Sequence, residues 1–196
     1  MADNKRGRDK KAHDARKRQQ QRDITMELER QDETEPPVDE AALTALETEL
    51  ETLEFPATGA EVVSAIGEYE VDEEYTAAEL IPEIDEELFS SPESVRVRVQ
   101  RPTVAAALKE ILEASESLPH TELAGSQRKG YEKTLRALRE IDADDDDEGI
   151  EVVTDWIVEQ IHEKNKLPNS RSVRRRGAKF CRENGYSIRN DEWLGI

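Results

Sequence analysis

Five basic side chains lie close together near the end of the sequence, and their types suit them to bind an anionic ligand. They are Arg171, Arg174, Arg175, Lys179 and Arg182. On a helical wheel with about 100° per residue, four of them share one face and Arg174 borders it. Arginine and lysine at this spacing can hold phosphate groups, and Asn169 and Ser170 can add neutral donors at the helix start. The pattern predicts contact with DNA or RNA. A basic surface that docks on acidic residues of this chain or of a partner protein, or that is only solvated, explains the same pattern.

The elements that must position these side chains have the order of a helix-turn-helix or small winged unit. A first helix is predicted from the apolar residues Val152, Val153, Trp156, Ile157 and Ile161. After Pro168, a second helix capped by Ser170 or Ser172 is expected to run to Gly185, where a left-handed C-cap ends it. Its packing face is predicted to hold Val173, Gly177, Phe180 and Cys181. A strand-like tail with Trp193, Leu194 and Ile196 then completes a C-terminal unit over residues 150–196.

Residue types that support catalysis do not form a recognisable pattern. The 46 Asp and Glu residues make accidental acid pairs unavoidable, so no pair can be singled out from spacing. The sequence has no phosphate loop, nucleophile elbow or dinucleotide fingerprint. One cysteine and three scattered histidines give no spacing for a tetrahedral metal site, and Cys181 is expected to be a small buried hydrophobe. We expect a protein that is not an enzyme and that needs no cofactor or metal.

The N-terminal segment is basic and contains few residues able to anchor a core. Residues 1–22 hold nine Lys or Arg against three Asp, for a net charge of +6. The acidic stretch that follows ends near Pro36 and Pro37, which favour an extended backbone. Residues 1–38 are predicted to be a disordered basic arm and a tether. The arm could contact a nucleic-acid backbone or act as a solubilising terminus.

Net charge is the strongest compositional feature. The chain carries 46 Asp and Glu against 28 Lys and Arg, and its formal charge is −18. Lysine is scarce beside arginine, with 10 against 18. A densely carboxylated surface is typical of halophilic proteins, although an acidic protein of an ordinary cell is the alternative. Because there is neither a signal peptide nor a long apolar run, a cytoplasmic protein without membrane contact is expected.

The middle of the chain predicts an acidic helical domain over residues 39–141, and an acidic linker over residues 142–149 follows it. Two capping boxes, Thr58 with Glu61 and Thr76 with Glu79, mark helix starts. The second of these helices is expected to bury Leu80, Ile81 and Ile84. Further helices are predicted after Pro102 and over residues 126–141, and residues 69–75 predict a small exposed hairpin. The fold class is therefore mainly α with a minor β-hairpin.

Two segments of this domain leave more than one interpretation open. Leucines at a 3, 4, 3 spacing form a stripe on the first helix, and the stripe could pair with a partner helix or a second copy of the chain. These leucines are Leu43, Leu46, Leu50 and Leu53. Residues 95–99 alternate valine and arginine as a half-buried strand would. The helix start at Ser91, Pro92 and Glu93 instead favours a helix there.

Several short motifs between residues 50 and 100 resemble an uncharacterised haloarchaeal domain family. They are Leu53-Glu54-Phe55-Pro56-Ala57-Thr58, Ala60-Glu61-Val62-Val63, Ile66-Gly67-Glu68, Thr76-Ala77-Ala78-Glu79-Leu80 and Phe89-Ser90-Ser91-Pro92-Glu93-Ser94-Val95. Similar haloarchaeal proteins share the basic start and the Asp-Glu-Trp-Leu-Gly-Ile ending. The resemblance implies a halophilic protein without a known activity, and it implies no particular partner.

Two functions follow as hypotheses. The first is a halophilic regulatory or architectural protein that binds nucleic acid through the C-terminal basic helix. The second is a protein-interaction adaptor without nucleic-acid affinity, which uses the leucine stripe. Exposed basic side chains on the C-terminal helix favour the first hypothesis, and an exposed leucine stripe favours the second.

Overall fold

The computed structural model describes residues 38–85, 87–119, 123, 125–141 and 147–186. The described chain is mainly helical, with one two-stranded antiparallel sheet, which confirms the predicted fold class. Its elements are α1 (Glu40–Leu50), β1 (Ala57–Thr58), α2 (Gly59–Ile66), α3 (Ala77–Leu80), β2 (Leu88–Phe89), α4 (Pro92–Val99), α5 (Pro102–Ser115), α6 (Gly125–Ile141), α7 (Glu148–Lys164) and α8 (Ser170–Glu183). The basic arm, most of the predicted linker and the tail after Tyr186 lie outside the described residues.

The leucine stripe of α1 belongs to the protein's own core. Leu43, Leu46 and Leu50 are at most 1% exposed, and they pack with apolar residues of α2, α3 and α4. Leu53 follows the end of α1 and is half-buried beside the same cluster. This apolar face is buried against the protein's own helices. It is therefore not exposed, as pairing with a partner helix or a second copy would require.

The predicted capping boxes begin α2 and α3. The Thr58 hydroxyl accepts a hydrogen bond from the Glu61 amide at 3.1 Å, and the Glu61 carboxylate accepts one from the Thr58 amide at 2.8 Å. At α3, the Glu79 carboxylate accepts from the amide of Thr76 at 2.8 Å and from its hydroxyl at 2.9 Å. These bonds satisfy donors that the first helical turn leaves without partners.

Helix α3 is shorter than the sequence predicts. It ends at Leu80, and Ile81 is already extended, with φ −105° and ψ 124°. The next residue is Pro82, whose ring disfavours helical backbone in the residue before it. Ile81 is still buried, whereas Ile84 lies outside any helix and is half-buried.

The predicted hairpin over residues 69–75 is a tight excursion closed by one bridge, Glu70 with Thr76.

The alternating segment 95–99 is helical. The Ser91 hydroxyl caps α4 by accepting from the Ser94 amide at 3.3 Å, and Pro92 occupies the first turn. Val95 and Val99 are one helical turn apart, and both are fully buried. Arg96 and Arg98 reach acidic residues on either side of that buried line. The helix start therefore outweighs the strand-like alternation.

The only sheet among the described residues pairs two very short strands. Ala57 lies opposite Phe89 and Thr58 opposite Leu88. The Gly59 amide donates to the Glu87 carbonyl at 2.8 Å and extends the contact. A methyl group on Gly59 would lie 2.0 Å from the Pro82 carbonyl oxygen, so only glycine fits at this crossing. The pairing holds Glu87 at 6% exposure between α4 and α6.

A second apolar core joins α5, α6, α7 and α8. Its fully buried members include Ile111, Tyr131, Leu138, Ile157 and Cys181. Residues from both sides of the predicted linker 142–149 thus share one core. Helix α8 packs on α6 and α7 inside this assembly, so its orientation is fixed by residues on both helices.

No helix in the described part of the chain combines the length and apolarity needed to cross a membrane.

Candidate nucleic-acid interface

The turn before α8 is anchored on α6. Helix α7 ends at Lys164, and its C-cap Asn165 adopts the left-handed conformation with φ 47°. The Pro168 carbonyl then accepts hydrogen bonds from the Tyr131 hydroxyl and from Gln127 Nε2, the latter at 2.7 Å. Tyr131 is fully buried, and burial raises the pKa of its hydroxyl to about 12. The hydroxyl therefore stays protonated and keeps donating to the turn at neutral pH.

Both ends of α8 are closed by local hydrogen bonds. Asn169 is the N-cap, because its Oδ1 accepts from the Ser172 amide at 2.9 Å. The predicted cap at Ser170 or Ser172 is therefore wrong, because the N-cap lies one position before Ser170 and three before Ser172. At the other end, Gly185 has φ 77° and the Tyr186 amide donates to the Cys181 carbonyl at 2.9 Å. This is the left-handed C-cap that the sequence predicted.

The two neutral side chains predicted to assist at the helix start are already engaged. Besides the Ser172 amide, Asn169 Oδ1 accepts from the Ser172 hydroxyl at 3.2 Å. The Ser170 hydroxyl donates to the Gln127 carbonyl at 3.4 Å, toward α6. Both groups position α8, and the positive charge of the helix is left as its principal binding feature.

Four of the predicted site residues share the exposed face of α8. They are Arg171, Arg175, Lys179 and Arg182, whereas Arg174 is half-buried at the border of that face. Val173, Gly177, Phe180 and Cys181 form the buried face, as predicted. The exposed row runs from residue 171 to residue 182, which is about 16 Å along the helix axis. The structure thus brings the predicted residues together on one surface.

The contacts of these residues stay within α8. Lys179 Nζ lies 3.6 Å from Glu183 Oε1, and both side chains are more than half exposed. Arg182 Nε donates to the Ala178 carbonyl at 3.1 Å. Arg171, Arg174 and Arg175 have no carboxylate within 4.0 Å among the residues that the structure describes. Exposed ion pairs such as Lys179 with Glu183 contribute little and are easily exchanged for another anion.

Several described arginines outside α8 are paired with carboxylates. Arg96 contacts Glu40 and lies 3.1 Å from Glu47, and Arg139 contacts Asp147 at the start of α7. Arg98 and Arg128 both contact the buried Glu87. These paired arginines differ from the exposed arginines of α8 in their contacts with acidic residues. The net charge of the chain is −18, yet within the described ranges the only carboxylate paired with the six Lys or Arg of α8 is Glu183 of the same helix.

Arg176 lies away from the basic row. It is half-buried, and its Nε is buried without a hydrogen-bond partner in the described part of the protein. A buried donor of this kind is destabilising unless a partner reaches it. Arg176 is therefore not part of the exposed surface that residues 171, 175, 179 and 182 form.

Comparison with protein-family models, with curated proteins and with solved structures found no match. The chemistry of the site therefore has to be argued from its own geometry. Among the described residues, no group of three or more His, Cys, Asp or Glu side chains could hold a metal ion.

Proposed function

We propose that this protein binds the phosphate backbone of nucleic acid through α8, as a regulatory or architectural protein of a salt-rich cytoplasm and without catalysing a reaction. The observation that carries the proposal is the lack of carboxylate partners for Arg171 and Arg175 within the described part of an acidic protein. Cationic side chains without carboxylate partners in the described ranges can accept an external anion. Arginine suits this role because its planar donors match phosphate oxygens.

High salt sets the kind of contact that the proposal requires. At about 1 M salt the Debye length is about 3 Å, so long-range attraction is lost and only direct contacts remain. Phosphate contacts also weaken as salt rises, since each one releases condensed counterions. A rigid helix with four exposed cations in a row meets this requirement better than a flexible tail, because the side chains are already aligned.

The adaptor hypothesis is the alternative. The structure gives it less support than the nucleic-acid hypothesis, because Leu43, Leu46 and Leu50 are buried in the protein's own core. An adaptor would need another surface, and an acidic partner protein could use the same face of α8. The test must therefore separate nucleic acid from other polyanions.

The proposal is tested by fluorescence-anisotropy titration of the full-length protein with labelled random-sequence duplex DNA and single-stranded RNA. The KCl series runs from about 0.2 M to about 2 M, where only direct contacts persist. We expect saturable binding that Arg175→Ala/Lys179→Ala weakens about tenfold or more, because charged hydrogen bonds are lost. Lys164→Ala/Lys166→Ala removes the same charge from exposed positions outside α8 and is expected to bind as the wild type does.

Two results would contradict the proposal. One is no binding to either nucleic acid at any salt concentration by protein that circular dichroism shows to be folded. The other is equal weakening by both double variants, which indicates a response to overall charge and not to α8. Polyglutamate as a competitor then identifies an acidic protein partner if it displaces the nucleic acid at equal charge concentration.

A further inference from the structure

Helix α6 packs closely along α8, and the contacts at one glycine of each helix show how the two helices are aligned. A methyl group on Gly130 would lie 2.5 Å from Ser170 Oγ, and one on Gly177 would lie 3.4 Å from Thr134 Cγ2 and 3.5 Å from Leu138 Cδ1. An early residue of α6 thus meets an early residue of α8, and later residues meet later ones. The two helices run in the same direction, side by side.

The contact line divides each helix into a core side and a solvent side. In α6, Tyr131 and Leu135 follow the contact residues 130 and 134 by one position and are buried in the core. Lys129 and Lys133 precede the same contact residues by one position and are exposed. With about 100° per residue, the lysines and the core residues therefore lie on opposite sides of the contact line.

Helix α8 also has a core side and a solvent side, but they are arranged about the contact line in the opposite order from those of α6. Val173 and Phe180 point into the core that holds Tyr131 and Leu135. Arg171 follows the contact residue Ser170 by one position and lies on the exposed side. Since both helices turn their apolar sides into one core, their basic sides face the same direction. Lys129 and Lys133 thus lie beside the row formed by Arg171 and Arg175.

Lys129 and Lys133 resemble the exposed arginines of α8 in lacking a carboxylate partner among the described residues. Lys129 and Lys133 have no carboxylate within 4.0 Å in the described ranges, whereas Arg128, Arg136 and Arg139 of the same helix are paired. Helix α6 has two acidic residues, of which Glu132 lies 3.9 Å from Arg136 and Glu140 is exposed near the far end of the helix. The unpaired cations are therefore concentrated along the first halves of α6 and α8.

Resting on the function proposed above, we infer that the binding site spans α6 and α8 and that its ligand is duplex nucleic acid held without base readout. Packed helix axes are about 8–10 Å apart, so the two cationic rows form a surface wider than a single helix. A duplex offers phosphates on two strands to such a surface. Single strands are usually bound by stacking bases on aromatic side chains, but Tyr131 and Phe180, the aromatic residues of these helices, are buried in the core.

The inference is tested with Lys129→Gln/Lys133→Gln in the full-length protein, measured beside Arg171→Gln/Arg175→Gln and the control Lys164→Gln/Lys166→Gln. The probes are a random-sequence duplex and a single strand of equal length, labelled and titrated in about 0.3 M KCl, where backbone contacts still contribute strongly. We expect the α6 variant to weaken duplex binding about fivefold or more and the control to change it less than about twofold. We also expect a second duplex of unrelated sequence to bind within about threefold of the first, because phosphate contacts carry no base readout.

The possible failures are distinguishable. Wild-type duplex affinity in the α6 variant, together with a loss in the Arg171→Gln/Arg175→Gln variant, overturns the extension to α6 and leaves the α8 proposal standing. Tighter binding of the single strand than of the duplex overturns the assignment of the ligand. No binding of either the duplex or the single strand by the folded wild-type protein overturns both proposals.

Discussion

Glu87 and Arg98 form an ion pair that is almost completely removed from solvent, with side-chain exposures of 6% and 12%. The same carboxylate contacts Arg128 on α6, so one glutamate joins α4 to α6. Burial holds the pKa of the Arg98 guanidinium below its ordinary value, and the charge of Glu87 opposes that effect. The two apolar cores are thus linked by a charged contact that water screens weakly.

Removal of the Glu87 charge should destabilise the protein strongly. Glu87→Gln keeps the shape of the side chain but leaves two arginines without their counter-charge, and we expect a loss of about 3 kcal/mol in the free energy of unfolding. Urea denaturation at constant high KCl measures the change. The matched control is Glu40→Gln, whose carboxylate is 74% exposed beside Arg96 and should cost less than about 1 kcal/mol. Equal losses in the two variants would show that the buried position of Glu87 has no special effect.

Close packing of α6 on α8 predicts a steric effect at Gly130. Gly130→Ala adds a methyl group 2.5 Å from Ser170 Oγ and 2.7 Å from Ser170 Cβ. Overpacking costs about 1–3 kcal/mol, which exceeds the gain in helix propensity of about 1 kcal/mol from replacing glycine. We therefore expect a net loss of stability in thermal or urea unfolding. Gly125→Ala, where no atom lies within 4 Å, should be neutral or slightly stabilising, and a loss there as large as at Gly130 would contradict the packing.

Because the leucine stripe is buried, truncating one of its leucines should lower the free energy of unfolding and leave the association state of the protein unchanged. Leu46→Ala should cost about 2–5 kcal/mol, as is usual for a leucine truncated in a core. The control Leu88→Ala removes a side chain that is 65% exposed and should change the free energy of unfolding by less than about 0.5 kcal/mol. If Leu46→Ala left stability unchanged but altered the mass measured by light scattering, the stripe would be an interface.

The capping box of α3 predicts a titration that can be followed by NMR. Hydrogen bonds from the backbone amide and then from the hydroxyl of Thr76 lower the pKa of the exposed Glu79 carboxylate. Because the folded-state pKa is below the unfolded one, this contribution to stability is present above the unfolded pKa and is lost as pH falls through the folded pKa. Thr76→Val removes the hydroxyl and keeps the amide, so the pKa of Glu79 should rise part of the way to its ordinary value. Thr52→Val is the control, and a pKa of Glu79 that moved equally in both variants would contradict the capping contact.

The sequence was a good guide to most features that local chemistry decides, although it misplaced the N-cap of α8 and the end of α3. The caps at Thr58, Thr76 and Ser91, the C-cap at Gly185 and the two faces of α8 follow from residues within a few positions of one another. The early end of α3 could also have been inferred from Pro82. These features depend on short-range hydrogen bonds and helical periodicity, which a single sequence displays.

Long-range packing could not be inferred in the same way. The pairing of Ala57 with Phe89 joins strands of two residues each, too short for a pattern of alternation. The leucine stripe of α1 predicts burial but does not say against what. The closeness of α6 and α8 depends on Gly130, which in sequence alone looks like a weak point of a helix. Lys129 and Lys133 were consequently not predicted as candidate site residues, although their spacing of one helical turn was visible.

The most direct test of the central claim is the salt dependence of duplex binding, with the logarithm of the association constant plotted against the logarithm of KCl concentration. Each phosphate contact to B-form DNA contributes about −0.9 to that slope. If α8 grips phosphates directly, Arg171→Gln/Arg175→Gln should make the slope less steep by about two and should weaken all duplex sequences alike. An unchanged slope, in a variant shown by circular dichroism to be folded at every salt concentration, would contradict direct phosphate contact by α8.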